Sequence, residues 1–453
     1  NDSQSMGKSV SMSRDGAYMA VARDGSADIY KYRGYWGLDH RIVARIQSVA
    51  ISGDGAVVAF GGYEEVFVYA RSDTDTRTSA WGLRERIRQP GANFGNAGAL
   101  SGNGDRLYIG ESEYLSNTGQ VKIYTWNGST YSSTSTVVGE ATGDYFGHVI
   151  STGHVSLSDA TNTPVWAAGG YGNDAGGNFA GHVRVYRGNN TQLGTDIDGL
   201  VAGEQSGFSI SISDSGHRIA IGSRYFNGGA GVTTGRVRVF QWAGTDWTQM
   251  GSDIEGEALG DESGTAVSLA CDGYRLVIGA PKSDDGATDG GQIRGDDWSG
   301  SAWAQGGGDI PGLTASDGLG AAVAMSGDGL RVVAGAPTHN SSRGLVKAYD
   351  LSKLNPTWMP VGQRVYGEAA NDNSGRSVSM SANGMRMAVG APENDGGGSG
   401  SGHVRAYELK NGFWEQMGTD IQPSGTNADF GWSVSLNGNG TRVAIGAPTY
   451  STH

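Results

Sequence analysis

Residues 377–392 read SVSMSANGMRMAVGAP, and the chain repeats this stretch. Close copies are SVSMSRDGAYMAVA (9–22), SVAISGDGAVVAFGG (48–62), SISISDSGHRIAIGS (209–223), AVSLACDGYRLVIGAP (266–281), AVAMSGDGLRVVAGAP (322–337) and SVSLNGNGTRVAIGAP (433–448). GALSGNGDRLYIGES (98–112) is a further copy, and a degenerate one within 148–170 lacks the turn glycine. The turn glycines, from Gly16 and Gly55 through Gly384 and Gly440, settle to intervals of about 56 residues. A fixed period of this length marks a repeat architecture, in which each copy is one supersecondary unit.

Within a unit, the segment 377–381 alternates small hydroxyl and apolar residues at period two, as a strand does. Asn383-Gly384 then predicts a two-residue hairpin turn, with glycine supplying positive φ. The apolar segment 386–389 forms the second strand, closed off by Gly390-Ala391-Pro392. A Gly/Asp-rich loop leads to a third strand of the type GHVRVY (181–186) or GHVRAY (402–407). The pattern WxQxGxDI, at 247–254 and 414–421, supplies the fourth, followed by a connector such as GEATGDYFG (139–147). Four short strands per unit, repeated, predict an all-β propeller of four-stranded antiparallel blades. The innermost strand should line the central channel, packed on both faces by neighbouring blades.

The repeats fall at approximately 8–47, 48–95, 96–147, 148–207, 208–264, 265–320, 321–375 and 376–431, with a half repeat over 432–453. The expectation is a single propeller of eight blades plus that partial unit. A seven-bladed ring, closed by pairing 432–447 with outer strands from 63–90, is the alternative. The half unit and a start without Met suggest a segment of a longer chain.

Composition removes other classes. Among 453 residues are 78 Gly but only 10 Pro and a single Cys, with 11 Trp, 19 Tyr and 10 Phe available for cores. Glycine at this density opposes helix, by about 1 kcal/mol per interior site. Lone Cys271 excludes an intrachain disulfide framework and reads as a small buried residue. No apolar run approaches the roughly 18 residues of a membrane-spanning helix, so no membrane insertion is expected. A net charge of −13, from 46 acidic against 33 basic residues, opposes nucleic acid as a partner.

The recurring FG…SVSL…GDG…VAIGAP pattern resembles the FG-GAP repeat of integrin α-subunit propellers. Phe430-Gly431 with Gly446-Ala447-Pro448 carries the whole motif; Gly279-Ala280-Pro281, Gly335-Ala336-Pro337 and Gly390-Ala391-Pro392 carry its second half, and Phe146-Gly147 its first. The resemblance implies an extracellular propeller used in adhesion or recognition. It also implies calcium bound by an acidic DxDxDG-type loop in the first hairpin. Here the equivalents, Ser52-Gly53-Asp54-Gly55 and Ser326-Gly327-Asp328-Gly329, offer one carboxylate each, too few to wrap an ion with six to eight oxygens. Those calcium sites are therefore not carried over, and no cofactor is expected beyond weakly bound calcium.

For that weak calcium the candidate ligands are loop residues after the GAP positions: Asp284, Asp285 and Asp289, then Asn394 and Asp395, with Glu393 beside them. Connector acids recur as Glu140 with Asp144, Glu257 with Asp261, and Glu368 with Asp372. Recurrence points to turn capping or inter-blade hydrogen bonds rather than general acid–base chemistry, because an active site usually occurs once. Six arginines two residues past the turn glycine (Arg106, Arg218, Arg275, Arg331, Arg386, Arg442) are expected to pair with acids of their own or the next blade. His182 and His403 share one repeat position and read as packing. Trp247, Trp303, Trp358 and Trp414 share another and read as blade cover, with sugar stacking as the competing use. No HExxH, GxSxG or P-loop is present, so no catalytic residue is assigned and no enzyme is expected.

Asn127, Asn189, Asn340 and Asn439 each open an N-x-[ST] sequon, predicted to lie in loops or turns and open to glycosylation. The reading that unites these features is an extracellular or cell-surface, non-enzymatic interaction or structural module, assembling with other extracellular proteins or glycans, either free-standing or as one domain of a larger surface or filament protein. A carbohydrate-binding propeller is the alternative, and a hydrolase or lyase at the channel mouth a lesser one.

Overall fold

The segment 377–392 forms the expected hairpin: Ser377–Met380 runs antiparallel to Arg386–Ala391, with Val378 opposite Val389. The turn differs from the two-residue form expected. Ser381 N donates to Arg386 O (3.0 Å), leaving a four-residue loop, 382–385. Ser381 Oγ accepts from Arg386 N (3.0 Å) and donates to Asn383 Oδ1 (2.8 Å), which accepts from Met385 N (3.0 Å). The serine and asparagine side chains thus satisfy backbone groups that a tighter turn would pair directly. Gly384 has φ +67°, which explains the glycine recurring at this point.

In a computed structural model, which describes the strands between Met6 and Arg88, residues 97–101, 105–417 apart from 153–163, 228–232, 313 and 352–356 and 397–399, residues 420–421 and the strands Val434–Leu436 and Val443–Ile445, the hairpins extend into eight antiparallel sheets. The first four blades begin at Met6–Met12, Ile46–Ile51, Ala97–Leu100 and Val149–Thr152. The next four begin at Ser209–Ile212, Ala266–Leu269, Ala322–Met325 and Ser377–Met380. Within each sheet the strands follow chain order outward. Innermost strands touch those of the neighbouring blades. From the fourth blade to the seventh they are half-buried throughout, whereas the second strands, such as Val165–Gly170, are buried along their length. This is a β-propeller.

The WxQxGxDI pattern proves to be a broken fourth strand. In blade five, Trp247–Gln249 and Ile254–Glu255 both pair with the third strand, Arg236–Trp242. Between them Gln249 Nε2 donates to Asp253 Oδ1 (2.7 Å). The same Gln–Asp bridge recurs at Gln192–Asp196, Gln305–Asp309 and Gln416–Asp420. It fixes the direction in which each aspartate faces.

The seven-bladed alternative fails. The outer strands it required, Glu65–Ser72 and Ala80–Arg88, complete the second blade's own sheet beside Val57–Gly62. The half unit forms a two-stranded hairpin, Val434–Leu436 with Val443–Ile445. Its first strand contacts Ser377–Met380 of blade eight, and both strands contact Met6–Met12 of blade one. The hairpin therefore sits between the last blade and the first.

Three repeated devices fasten blade to blade. The last connector glycine donates its N–H to the second-strand glycine of the blade it enters: Gly264 to Gly279 (3.1 Å), Gly320 to Gly335 (3.0 Å), Gly375 to Gly390 (2.8 Å). Its carbonyl presses on the corresponding glycine of the blade behind, so that a Cβ on Gly335 would lie 1.9 Å from Gly375 O. The turn arginines form the second device, as expected. Arg275 binds Asp297 bidentately (2.5 and 2.9 Å) and donates to Gly329 O of the next blade (2.8 Å). Arg331 does the same with Asp350 and Gly384 O. Trp247 and Trp414 are the third: both are buried, donating Nε1 to Leu193 O (2.7 Å) and Val361 O (2.8 Å) of the preceding blade. Cys271 departs from expectation; it is exposed in its turn, and its N–H donates to Gly327 O of the next blade (3.1 Å).

Gly335→Ala should lower stability by about 2–4 kcal/mol, since the clash is with backbone that cannot move without parting two blades. Urea unfolding of the two proteins checks this, and a change below about 1 kcal/mol would contradict it.

Candidate functional site: acidic niches between blades

The connectors place carboxylates where two blades meet. In 139–147, Asp144 Oδ2 accepts from Glu140 N (2.7 Å) and Ala141 N (2.8 Å), folding the connector over its own aspartate. Asp372 holds Glu368 N and Ala369 N in the same way, and Asp261 holds Ala258 N. The capping role expected of these acids is present. It leaves the neighbouring Glu140 and Glu368 free to face the next blade.

What each glutamate meets was not anticipated. Glu140 Oε2 accepts from Asn173 Nδ2 (3.1 Å) and lies 3.9 Å from His182 Nδ1. His182 Nδ1 is also 3.6 Å from Asp196 Oδ2, whose other oxygen takes the Gln192 bridge (2.6 Å). Blade eight repeats the arrangement. Asn394 Nδ2 donates to Glu368 Oε2 (3.3 Å) and Asp372 Oδ2 (3.0 Å); His403 Nδ1 stands 3.8 Å from Glu368 Oε2 and 3.7 Å from Asp420 Oδ2. Both histidines are 0% exposed, and among the described residues neither ring nitrogen of either has a hydrogen-bond partner. Burial, with Arg184 or Arg405 adding to it, pushes their pKa values down to about 3 and about 4. Burial thus disfavours the charged form of each imidazole, which faces two carboxylates.

The other blades show what the position demands. In blade five Arg236 replaces the histidine and reaches Glu204 Oε2 (2.5 Å) and Asp253 Oδ2 (2.6 Å), a buried pair closed by the chain's own cation. In blade six Gln292 stands there; Glu257, with Arg294 at 3.5 Å, is held above the usual carboxylate range by burial and by Asp309. Blade seven has apolar Leu345, and its connector Asp317 turns to His339 Nδ1 (2.7 Å).

Two residues beyond the niche position, a basic side chain reaches back to the outer strand of the preceding blade. Arg184 Nη2 donates to Val138 O (2.9 Å) and Arg238 Nη2 to Asp198 O (2.6 Å). Arg405 donates to Tyr366 O, and Lys347 Nζ lies 3.4 Å from Pro311 O. Arg184 Nε is also 3.7 Å from Asp196 Oδ2.

The calcium candidates divide. Asn394 belongs to the blade-eight niche, as just described. Asp284 and Asp395 hold their own loops, accepting from Asp289 N (2.7 Å) and Gly400 N (2.6 Å). Asp289 lies 3.8 Å from Lys282 Nζ, and Asp285 N donates to Ser283 Oγ (3.2 Å). Among the described residues the clusters with metal-ligand spacing are Glu140–His182–Asp196 and Glu368–His403–Asp420, and these loop acids are in neither. Of the sequons, Asn127 and Asn340 are exposed, Asn189 is half-buried with Oδ1 accepting from Arg106 Nε (3.2 Å) and Thr125 Oγ1 (3.1 Å), and Asn439 lies outside the described residues, as does Arg442.

On the opposite, turn-bearing face a cleft of about 530 Å³ opens between blades seven and eight. Leu330, Leu351 and Met359 line it, with Asp328, Asn383 and the Arg331–Asp350 pair at its polar edge. Met359 is 58% exposed and Met385, beside Arg331, 40%.

No protein-family model matches the sequence, and no curated protein matches it either. Solved structures do resemble it. The Dos1 propeller is 14% identical with a TM-score of 0.55, the match covering 92% of this chain and 95% of that one. The C-terminal WD40 domain of Sif2 is 15% identical, TM-score 0.56, covering 89% and 93%. Sqt1 from Chaetomium thermophilum is 12% identical, TM-score 0.56, covering 92% and 97%; a second structure shows Sqt1 bound to the N-terminus of ribosomal protein L10. At these identities the likeness establishes the β-propeller fold and nothing narrower.

Burial holds the Lys347 ammonium down to about 8. Its folded pKa lies below the unfolded one of about 10.4, so the unfolded chain holds more protons between those values and stability gains with rising pH there. Lys347→Met should therefore be more stable than the parent at pH 7.5, and its lead should shrink by pH 10. Paired urea titrations at both pH values measure the difference; a lead that does not change with pH would refute the assignment.

Proposed function

We propose that this protein is a non-enzymatic interaction propeller of the extracellular or cell-surface kind, built on FG-GAP-type repeats and engaging a peptide segment of a partner protein. The observation that carries the binding role is the cleft between blades seven and eight. Its volume lies in the range of small-ligand pockets, and its lining combines apolar Leu330, Leu351 and Met359 with polar and charged side chains. Exposed methionines adapt to varied apolar partners. The repeated chemistry elsewhere serves to hold blades together, whereas Leu330, Met359 and Met385 differ from their counterparts Tyr274, Ala304 and, in blade five, His217. Sqt1, of similar fold, is bound to a protein N-terminus, which agrees with peptide recognition by such a scaffold. The glycine contacts give the FG and GAP elements of the repeat a shared purpose, in keeping with the integrin-like reading.

Panning a random peptide library against the full chain tests the cleft. Peptides with micromolar affinity are expected, and Met359→Asp or Leu330→Asp should each weaken them by tenfold or more. Enrichment of no peptide, or of peptides indifferent to both substitutions, would sink the reading.

The extracellular placement has its own test. Protein from its native source should lose mass on treatment with an N-glycosidase, with peptide mapping placing glycans at Asn127 and Asn340 and leaving Asn189 bare. An unchanged mass would count against it.

A further inference from the structure

We infer that the niches Glu140–His182–Asp196 and Glu368–His403–Asp420 are two equivalent binding sites for a divalent transition-metal ion of the Zn²⁺ type. Each ion would tie a connector to the blade that it enters.

The donor set fits the ion. Neutral imidazole nitrogen and carboxylate oxygen are the ordinary nitrogen and oxygen ligands of zinc. Ligand atoms 2.0–2.2 Å from a tetrahedral centre lie about 3.3–3.6 Å apart. The observed separations of His182 Nδ1 from Asp196 Oδ2 and Glu140 Oε2 are 3.6 and 3.9 Å. In blade eight they are 3.7 and 3.8 Å. These gaps are too long for a hydrogen bond and close to what an atom between them would span.

The imidazoles supply the independent sign of a ligand. A fully buried polar side chain is normally hydrogen-bonded, yet among the described residues neither nitrogen of His182 or of His403 has such a partner. Nδ1 in each case faces the carboxylates. The carboxylates are themselves oriented from outside the niche, Glu140 by Asn173 and Asp196 by Gln192, as second-layer partners orient metal ligands. Glu140 is 48% exposed and Asp196 18%, which gives an ion a route from solvent.

Blade five is an internal control written into the chain. With Arg236 in the histidine's place, its guanidinium reaches Asp253 and Glu204, the acid at the capping position of that connector, while Leu200 stands where blade four has Glu140. The niche takes a cation where the sequence provides one. In blades four and eight an imidazole stands at that position beside two carboxylates, and a bound cation would take the place that the guanidinium fills in blade five.

The test uses the full chain freed of metal with EDTA and titrated with ZnCl₂ by calorimetry, with Co²⁺ absorption as a spectroscopic check. Two Zn²⁺ per chain and a rise in melting temperature are expected. His182→Gln and His403→Gln should each remove one equivalent, and the double variant both. Glutamine already stands at this position in blade six, as Gln292, so the fold should accept it. If circular dichroism shows either variant unfolded, Asp196→Asn and Asp420→Asn replace them in the same titration. Lack of saturable Zn²⁺ binding by the parent at 100-fold excess, or full stoichiometry retained in the folded double variant, would overturn the inference and leave the niches to bridging water. A niche whose substitution leaves the stoichiometry untouched is not a metal site.

Discussion

The contact on which this propeller depends is backbone against backbone. A connector glycine carbonyl lies where a Cβ on the second-strand glycine of the blade behind would have to be, at 2.2 Å for Gly222 and Gly264 and 2.0 Å for Gly279 and Gly320. No side chain can enter either position. The spacing of these blades is thus set by two glycines 38 to 42 positions apart, and the repeat retains both because neither can change alone. Everything outside this contact inherits its geometry. The connector that delivers the glycine also delivers a capped aspartate and a glutamate to the mouth of the next blade's third strand.

That delivery creates an electrostatic problem which each blade answers differently. Two carboxylates close to one another at a half-buried seam are unfavourable unless a positive charge, a proton or a polar donor joins them. Blade five has Leu200 in place of the free glutamate and joins Asp253 to the capping-position Glu204 through Arg236. Blade six holds Glu257 toward its protonated form. Blade seven removes the problem, placing Leu345 at the niche and Arg364 where the other outer loops carry aspartate. Blades four and eight retain both acids and present an imidazole. One scaffold position therefore ranges from ion pair to apolar packing without altering the strand pairing around it, because the pairing is fixed by the backbone contact and not by the niche.

The architecture was legible because it is written in local patterns that recur: a period-two strand, a turn glycine, an apolar strand ending in Gly-Ala-Pro. The inter-blade role of the turn arginines was legible for the same reason. The turn length was not, because Ser381 and Asn383 satisfy the backbone through side chains, and dipeptide identity says nothing of that. The place of the half unit was not either, since ring closure joins strands at opposite ends of the chain. The niches escaped because their ligands come from three elements: a connector, the start of a third strand, and the break in a fourth. Glu140, His182 and Asp196 form no motif at any single spacing, whereas Asp284, Asp285 and Asp289 look like one and instead tie off their own loop. One signal was available. The two GHVR strands are also the ones preceded by a GE connector and followed by a QxGxD turn, a co-occurrence that no other blade shows in full.

Repetition also separates structure from function along the chain. A residue that recurs at the same position in several blades answers a need those seams share, as the glycines, the turn arginines and the Gln–Asp bridges do. A residue that breaks the repeat answers a local need. On the turn face the breaks gather at one seam: Leu330 and Met385 in adjacent hairpin turns, and Met359 on the outer strand between them. The Arg331–Asp350 pair keeps the usual fastening there, so the seam is no weaker than its neighbours. Three exposed or half-exposed apolar side chains at one sound seam do nothing for the fold, since they bury little against it. Their cost in hydration falls when something covers them, which is the ground for proposing peptide recognition on the turn face, away from the niches on the other.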